Sequence, residues 1–186
     1  MTSVIGLGGE NVTRDLSVGL RTPFEQAERI KLKHGHCYLP SVERGEDVEI
    51  PGIGGRPPSL VSRQQITEFI QPRMEELFEL AMVEMNKAQV WDMLNSGIVL
   101  TGGASEIEGA AELAQEMFEL PVKVGQPGGL GGLMDSARSP RFATATGLVL
   151  YGMDGDSSFK MSSSDDESAV FLKILRRMRA WFEDFF

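Results

Sequence analysis

Two residues of opposite charge stand three positions apart in the segment AERIKLKHG. Glu28 and Lys31 share one face if this segment is helical. A carboxylate can accept hydrogen bonds from two ribose hydroxyls, and a long cation beside it can lie along a base. The same spacing is equally typical of a solvated ion pair, which is common and contributes little stability. The pair therefore allows a nucleoside grip without requiring one.

A pair of glycines gives the second chemical signal, in the segment GIVLTGGASEIEG. The apolar run 98–101 predicts a buried strand, and an amphipathic helical pattern follows at 107–118. Gly102 and Gly103 lie between them, where bare backbone would let a flat group or a phosphate approach a helix N-terminus. A tight turn without a ligand explains them equally well. The segment matches neither the P-loop nor the dinucleotide-binding glycine pattern.

The bulk composition disfavours several classes of function. The chain has 186 residues and a net charge of -9, which argues against nucleic-acid binding because that needs a basic face. Cys37 is the single cysteine and only two histidines accompany it, so neither an internal disulfide nor a Cys/His zinc cluster is expected. No apolar run approaches the roughly 20 residues that span a bilayer. The first residues also lack the pattern of a secretory signal.

Hydrophobic periodicity predicts the helices that would position these residues. We expect helices over 11–20, over 22–34, and from Ser62 to about Leu94. Asn11 or Thr13 would cap the first of them. Ser62, with Gln65 three positions later, would cap the long one.

The region between these helices has a different character. Residues 37–58 are rich in glycine and proline and contain short alternating runs, and the turn at 44–47 resembles that of a hairpin. Within the long helical stretch, Pro72 either starts a fresh helix or introduces a kink. Strand, turn, helix and strand then follow over 98–124. The order predicts an α/β core that is interrupted by a smaller α+β piece.

The C-terminal segment predicts a membrane-binding helix on a flexible linker. Residues 154–168 are rich in serine and aspartate, too polar to pack. Residues 169–186, wound as a helix, would present one apolar face opposite basic residues, a pattern typical of a helix in the membrane interface. Packing on its own domain and docking in a protein groove are the alternatives. The residues expected to meet anionic lipid are Phe171, Ile174, Leu175, Met178, Trp181, Phe182, Phe185, Arg176 and Arg177.

Five segments in order resemble the actin/Hsp70/sugar-kinase superfamily and, within it, the bacterial cell-division family FtsA. They are GGENVTRDLSVGL, AERIKLKHG, GGRPPSLVSRQQITEFIQPRMEEL, GIVLTGGASEIEG and ATATGLVLYG. The polar linker and the terminal helix extend the resemblance over essentially the whole chain. The resemblance implies an α/β, actin-like (ribonuclease H-like) second lobe. It divides that lobe into subdomain 2A (1–33 and 95–153) and an inserted α+β subdomain 2B (34–94).

The resemblance also implies roles for individual residues. Glu28 resembles the family's ribose-binding acid and Lys31 its adenine-side lysine, while Gly102 and Gly103 resemble the glycines on which the nucleoside rests. Ala104 and Glu106 complete this nucleotide-binding set, although the chaperone branch prefers serine and arginine there. An arginine stacked on the base is therefore not expected from this segment.

The function implied by the resemblance belongs to the full-length family protein. That protein binds ATP with magnesium, polymerises with itself, contacts other division proteins, and tethers FtsZ filaments to the cytoplasmic face of the inner membrane at the septum. The phosphate loops precede the point where this chain begins, so we expect weak or absent ATP binding and no hydrolysis. Arg56, Arg63 and Arg73 are candidates for contacts with the acidic C-terminal peptide of FtsZ, and ordinary solvated arginines are equally consistent with them. The alternative functions are a fragment of another ATPase or kinase of the superfamily and a peripheral membrane module without a role in FtsZ binding.

Overall fold

The structure, a computed structural model, describes residues 2–51, 57–129 and 138–154. The chain divides into two compact units, Met1–Thr146 and Gly147–Phe186. The helices are α1 (Gly9–Gly19), α2 (Phe24–His34), α3 (Arg63–Ala88), α4 (Ala110–Phe118) and α5 (Ala143–Asp154), the last of which contains the boundary between the units. The strands are β1 (Asp47–Ile50), β2 (Ser59–Ser62), β3 (Ile98–Leu100) and β4 (Val122–Val124).

The described strands form two small sheets of opposite type. Strands β1 and β2 pair antiparallel, with Asp47 opposite Ser62. Strands β3 and β4 pair parallel, with Ile98 opposite Val122, and helix α4 makes the crossover between them, as a parallel pair requires. This strand–helix–strand unit matches the order predicted from the sequence and sets the glycine turn at the end of β3.

One apolar core in the first unit joins α1, α2, α3 and α4. Leu16 of α1 and Ile70 of α3 are fully buried in it. The rings of Phe78 and Phe118 meet edge to face with centroids 5.6 Å apart, and this contact joins α3 to α4. The remaining buried apolar members are Val12, Ala27, Ile30, Cys37, Val48, Ile50, Ile66, Met74, Ile107, Ala110, Leu113 and Ala114.

Helix α3 confirms one prediction at its start and excludes another within it. The Ser62 hydroxyl accepts a hydrogen bond from the Gln65 amide at 3.2 Å, so the predicted cap is confirmed. The helix then runs past Pro72 without ending, so no fresh helix starts there. Burial of Ile70 and Met74 on either side of the proline offsets the backbone hydrogen bond that proline cannot donate.

Two local predictions were wrong. Helix α1 begins at Gly9, so neither Asn11 nor Thr13 is its N-cap; the Asn11 side chain instead accepts from the Gly8 amide at 3.0 Å. The turn at 44–47 leads into β1, which starts at Asp47, and does not connect the two paired strands; residues 51–58 lie between them in sequence. Asn11 does make a local hydrogen bond near the start of α1, and a turn does occur near residue 45. Neither has the structural role that the sequence pattern predicted.

Several predictions concern residues outside the described ranges or are not tested by this fold. Arg56, residues 155–168 of the linker and the amphipathic segment 169–186 lie outside the described residues. The division into subdomains 2A and 2B stays a prediction. Among the helices that the structure describes, none is long and apolar enough to cross a membrane.

Replacing Leu16 with alanine should destabilise the first unit by about 3 kcal/mol, because a fully buried leucine leaves a cavity when it is truncated. Urea unfolding of the 186-residue chain measures the change in the free energy of unfolding. Leu32→Ala is the matched control, because Leu32 is 63% exposed on α2 and its truncation should cost little. Equal losses from the two variants would contradict the assigned core.

Candidate functional site

The site begins with a lysine whose ammonium group is buried. Lys31 on α2 is 7% exposed, and its Nζ donates to the Gly9 carbonyl at 3.0 Å and to the Thr13 hydroxyl at 2.8 Å. Its third partner is Glu28 Oε2, at 2.7 Å. These contacts use all three ammonium hydrogens and join α2 to the first turns of α1.

Glu28 carries the chemically open part of this cluster. Burial alone would raise the pKa of its carboxyl, but hydrogen bonds from Lys31 and Thr13 outweigh that effect and lower the pKa below its usual 4.5. Both bonds reach Oε2, and no described residue donates to Oε1. The carboxylate is therefore ionised, fixed at one oxygen and open at the other, which is the arrangement needed to accept from a ligand hydroxyl.

The glycine turn forms a second wall. Gly102 has a φ of +89°, which only glycine adopts readily, and its amide donates to the Pro140 carbonyl at 3.1 Å. Gly103 starts a short 3-10 turn that ends at Glu106. A Cβ at Gly103 would make only an ordinary contact of 3.8 Å with Arg141 Cβ. Packing alone does not require glycine at position 103.

The helix predicted at 107–118 is present but starts three residues later. The amphipathic helix α4 starts at Ala110, several residues beyond the turn, and Gly109 is its N-cap. Only the four-residue 3-10 turn Gly103–Glu106 directly follows Gly102. The expectation of a helix N-terminus that favours an anion at the glycines is therefore wrong, because the chain inserts this turn before it becomes α-helical.

An ion pair between residues distant in sequence completes the second wall. Arg141 Nε donates to Glu106 Oε2 at 2.9 Å, and a terminal guanidinium nitrogen lies 2.9 Å from the same oxygen. The Ser139 hydroxyl donates to the other carboxylate oxygen of Glu106. The Arg141 side chain is 54% exposed despite these contacts. Its guanidinium is therefore oriented by one edge while much of its surface remains open.

These walls enclose one cavity of about 630 Å³, a size common for small-molecule sites. It brings together Glu28, Lys31, Gly103, Ala104 and Glu106, five members of the predicted nucleotide-binding set; the sixth, Gly102, is not among its lining residues. The other lining residues are Gly9, Glu10, Phe24, Leu32, Gly35, Ile107, Glu108 and Arg141.

Charge limits what part of a nucleotide this cavity can hold. Its lining carries four carboxylates against two cations, namely Glu10, Glu28, Glu106 and Glu108 against Lys31 and Arg141. Each cation is already paired with a carboxylate. Glu10 and Glu108 pair with Arg14 and Arg63, which stand outside the lining. The described lining therefore suits hydroxyls and a flat, partly apolar group better than a phosphate chain, which would meet no unpaired cation there.

Three residues of the site were missed by sequence reasoning. The sequence indicates Thr13 only as a helix cap and Gly9 only as part of the segment GGENVTRDLSVGL, yet both hold Lys31. Arg141 carried no motif at all. A possible signal for Thr13 was its place four residues after Gly9, one helical turn along α1, so that its hydroxyl oxygen lies 3.0 Å from the Gly9 carbonyl oxygen. No local signal pointed to Arg141.

Arg63 and Arg73, two of the arginines proposed for peptide binding, do not line this cavity and are engaged within the chain, although Arg63 pairs with the lining residue Glu108. Arg63 pairs with Glu46 at 3.0 Å and also with Glu108, and its Nε donates to the His34 carbonyl at 3.2 Å. Arg73 donates to both carboxylate oxygens of Asp15, at 2.6 and 3.1 Å, and also pairs with Glu76. Their charges are thus largely offset by neighbouring carboxylates.

Other chemistries find little support in the described residues. No group of three or more histidine, cysteine, aspartate or glutamate side chains there could hold a metal ion. Burial raises the pKa of the Cys37 thiol to about 12, so the thiol stays protonated near neutral pH. A thiol in that state is a poor nucleophile.

The sequence matches the family described as "Cell division protein FtsA" over residues 1–147. The chain belongs to the FtsA family. The FtsA protein of Pseudomonas aeruginosa is 39% identical over 184 residues, and that of Neisseria meningitidis is 38% identical over 188 residues. These alignments cover 97% and 100% of this chain but only 44% and 45% of the relatives. The chain thus spans less than half the length of the FtsA proteins it matches.

Solved structures show the same fold for the FtsA-family chain. Two crystal structures of MreB 5 of Spiroplasma citri, bound to AMPPNP and to ADP, give TM-scores of 0.67 and 0.63 at 16% identity. They cover 84% and 83% of this chain and 46% and 47% of the MreB chains. The likeness shows an actin-like α/β fold.

The stability contributed by Glu28 should disappear in acid. Its folded-state pKa is lowered, so its contribution is complete above pH 4.5 and is lost as the pH falls through the lower folded value. We expect the stability advantage of the parent chain over Glu28→Gln to shrink over that window, measured by urea unfolding at several pH values. Glu25→Gln removes an exposed carboxyl of the same helix and is the control. An advantage of Glu28 that stays constant down to pH 3 would contradict the assigned ion pair.

Proposed function

We propose that this chain is the nucleoside-holding and tethering part of an FtsA-type division protein. In this role it recruits FtsZ filaments to the cytoplasmic face of the inner membrane at the septum. The carrying observation is that one cavity collects five of the six residues expected to hold the nucleoside. Membership of the FtsA family supplies the cellular role.

The nucleoside part of the proposal rests on Glu28 and the walls beside it. The open Oε1 of Glu28 would accept from a ribose hydroxyl, and Lys31 would keep that carboxylate ionised and oriented. Phe24 and Leu32, both partly exposed in the lining, offer apolar surface to a base. Ala104 and the side-chain-free Gly103 leave room on the opposite side.

The same cavity argues against catalysis by this chain alone. ATP hydrolysis needs cations aimed at the phosphates and a positioned water. The two cations of the cavity are paired internally, and the described residues contain no candidate metal cluster. We therefore propose that ATP with magnesium is bound by the longer protein, and that this chain holds the adenosine part weakly and does not hydrolyse ATP.

Contacts with FtsZ are assigned to the three arginines named from the sequence. Arg63 and Arg73 can meet an acidic FtsZ peptide only by exchanging partners with Glu46, Glu108, Asp15 or Glu76. Such an exchange conserves the number of ion pairs, so it would give specificity more than affinity. Arg56 is the third candidate. Filament formation with other copies and contacts with further division proteins belong to the whole protein and remain proposals.

Membrane attachment is proposed from the pattern of residues 169–186. Aromatic and aliphatic residues at helical spacing would enter the interface, and Arg176 and Arg177 would meet anionic headgroups. Each basic residue near such a surface adds about 1 kcal/mol of attraction. The attachment should therefore weaken as salt is added.

Glu28→Ala should weaken adenosine binding by about tenfold, because a charged acceptor of a ribose hydroxyl is removed. Adenosine titration followed by NMR measures the affinity, and Glu28→Gln, which keeps an acceptor oxygen, should lose less. Glu25→Ala is the exposed control on the same helix.

We also expect ATP turnover by the purified chain to equal that of Glu28→Ala. Turnover clearly above that variant would show that the chain is catalytic on its own.

A bridging assay tests the tethering role. Phosphatidylglycerol vesicles should sediment a labelled FtsZ C-terminal peptide only when the chain is present, and deletion of residues 169–186 should reduce this to the protein-free baseline. The deleted chain should still bind the peptide in solution, which separates the two activities. Zwitterionic vesicles are the lipid control. Full recruitment by the deleted chain would exclude the proposed anchor, and absent peptide binding would exclude the FtsZ role.

A further inference from the structure

Arg141 lines the cavity, but the proposed nucleoside contacts do not involve it. It reaches the cavity from the short 3-10 turn Pro140–Phe142, which is held to the glycine turn by the bond from the Gly102 amide to the Pro140 carbonyl. It therefore stands beside Gly103, on the wall where a flat group would rest.

The contacts of Arg141 fix one edge of its guanidinium and leave much of the side chain exposed. Nε and one terminal nitrogen both point at Glu106 Oε2, so one edge of the plane is held and its charge is offset. Glu106 is itself held by Ser139, which restricts rotation of the carboxylate. With 54% of the side chain exposed, the guanidinium can still be covered by a ligand. A planar cation held by one edge is suited to stacking because stacking uses the face.

We propose that Arg141, oriented by Glu106, stacks its guanidinium on the base of the nucleoside in this cavity. This inference rests on the proposed nucleoside site and deepens it by naming the residue that contacts the base. Glu106 is a positioning residue, since it acts through Arg141. A phosphate role for Arg141 is the competing possibility, and the pairing with Glu106 disfavours it because that carboxylate already offsets the charge of the guanidinium.

The test uses adenosine, which has no phosphate, and the 186-residue chain. Saturation-transfer NMR reports which ligand protons lie against the protein. Arg141→Ala should lower the transfer to the base protons H2 and H8 relative to the ribose proton H1′, and should weaken adenosine binding about threefold to fivefold, the scale of an exposed cation–π contact. Arg141→Lys keeps the charge without the plane and should show the same loss on the base protons.

The controls separate stacking from a structural role. Arg44→Ala removes an exposed arginine that does not line the cavity and should leave the base-to-ribose ratio unchanged. Glu106→Gln should produce a smaller loss of base transfer, since an amide oxygen can still accept from Arg141. The thermal unfolding midpoint of Arg141→Ala should match that of the parent chain, because a half-exposed ion pair contributes little stability.

The outcomes distinguish this inference from the site on which it rests. No transfer to any adenosine proton in the parent chain would overturn the nucleoside site and the stacking role together. Adenosine bound normally, with an unchanged base-to-ribose ratio in Arg141→Ala, would overturn the stacking role alone. A loss that appears for AMP and not for adenosine would assign Arg141 to the phosphate and would equally refute stacking on the base.

Discussion

A lysine ammonium removed from water must exchange its hydration shell for acceptors held at fixed positions, or else lose its charge. Lys31 meets this requirement with the Gly9 carbonyl, the Thr13 hydroxyl and the Glu28 carboxylate. Two of these acceptors belong to α1 and one to α2, so the ammonium determines how the two helices approach. It also fixes one carboxylate oxygen of Glu28, a residue that lines the cavity, and no described residue donates to the other oxygen.

The second wall of the cavity is likewise held by an ion pair between two elements. Glu106 lies in the turn after the glycines and Arg141 lies in the turn before α5, and their ion pair holds the two turns together. Each cation of the cavity is thus neutralised within the chain. Such a surface can orient hydroxyls and flat groups, but it offers little attraction to phosphates.

Ion pairs of two arginines also join elements elsewhere in the first unit. Arg73 joins α3 to Asp15 on α1, and Arg63 joins the start of α3 to Glu46 before β1 and to Glu108 before α4. These pairs are partly exposed, so each contributes little to stability by itself. Their role is to fix the relative positions of the elements that they connect. A partner that recruits these arginines would therefore also loosen contacts between helices.

The sequence by itself determined the main helices, the order of strand, glycine turn and helix, and the FtsA resemblance. It also named five residues that the fold brings to one cavity. Apolar periodicity and the Ser62 cap depend only on residues close in sequence, so the sequence alone predicts them. The start of α1, the passage of α3 through Pro72 and the delay before α4 were decided by packing, which overrides weak local preferences. Only the tertiary structure could bring Arg141 to Glu106, 35 positions away, and Lys31 to Gly9, 22 positions away. Contacts over such distances leave no periodic trace, because they depend on where whole elements meet.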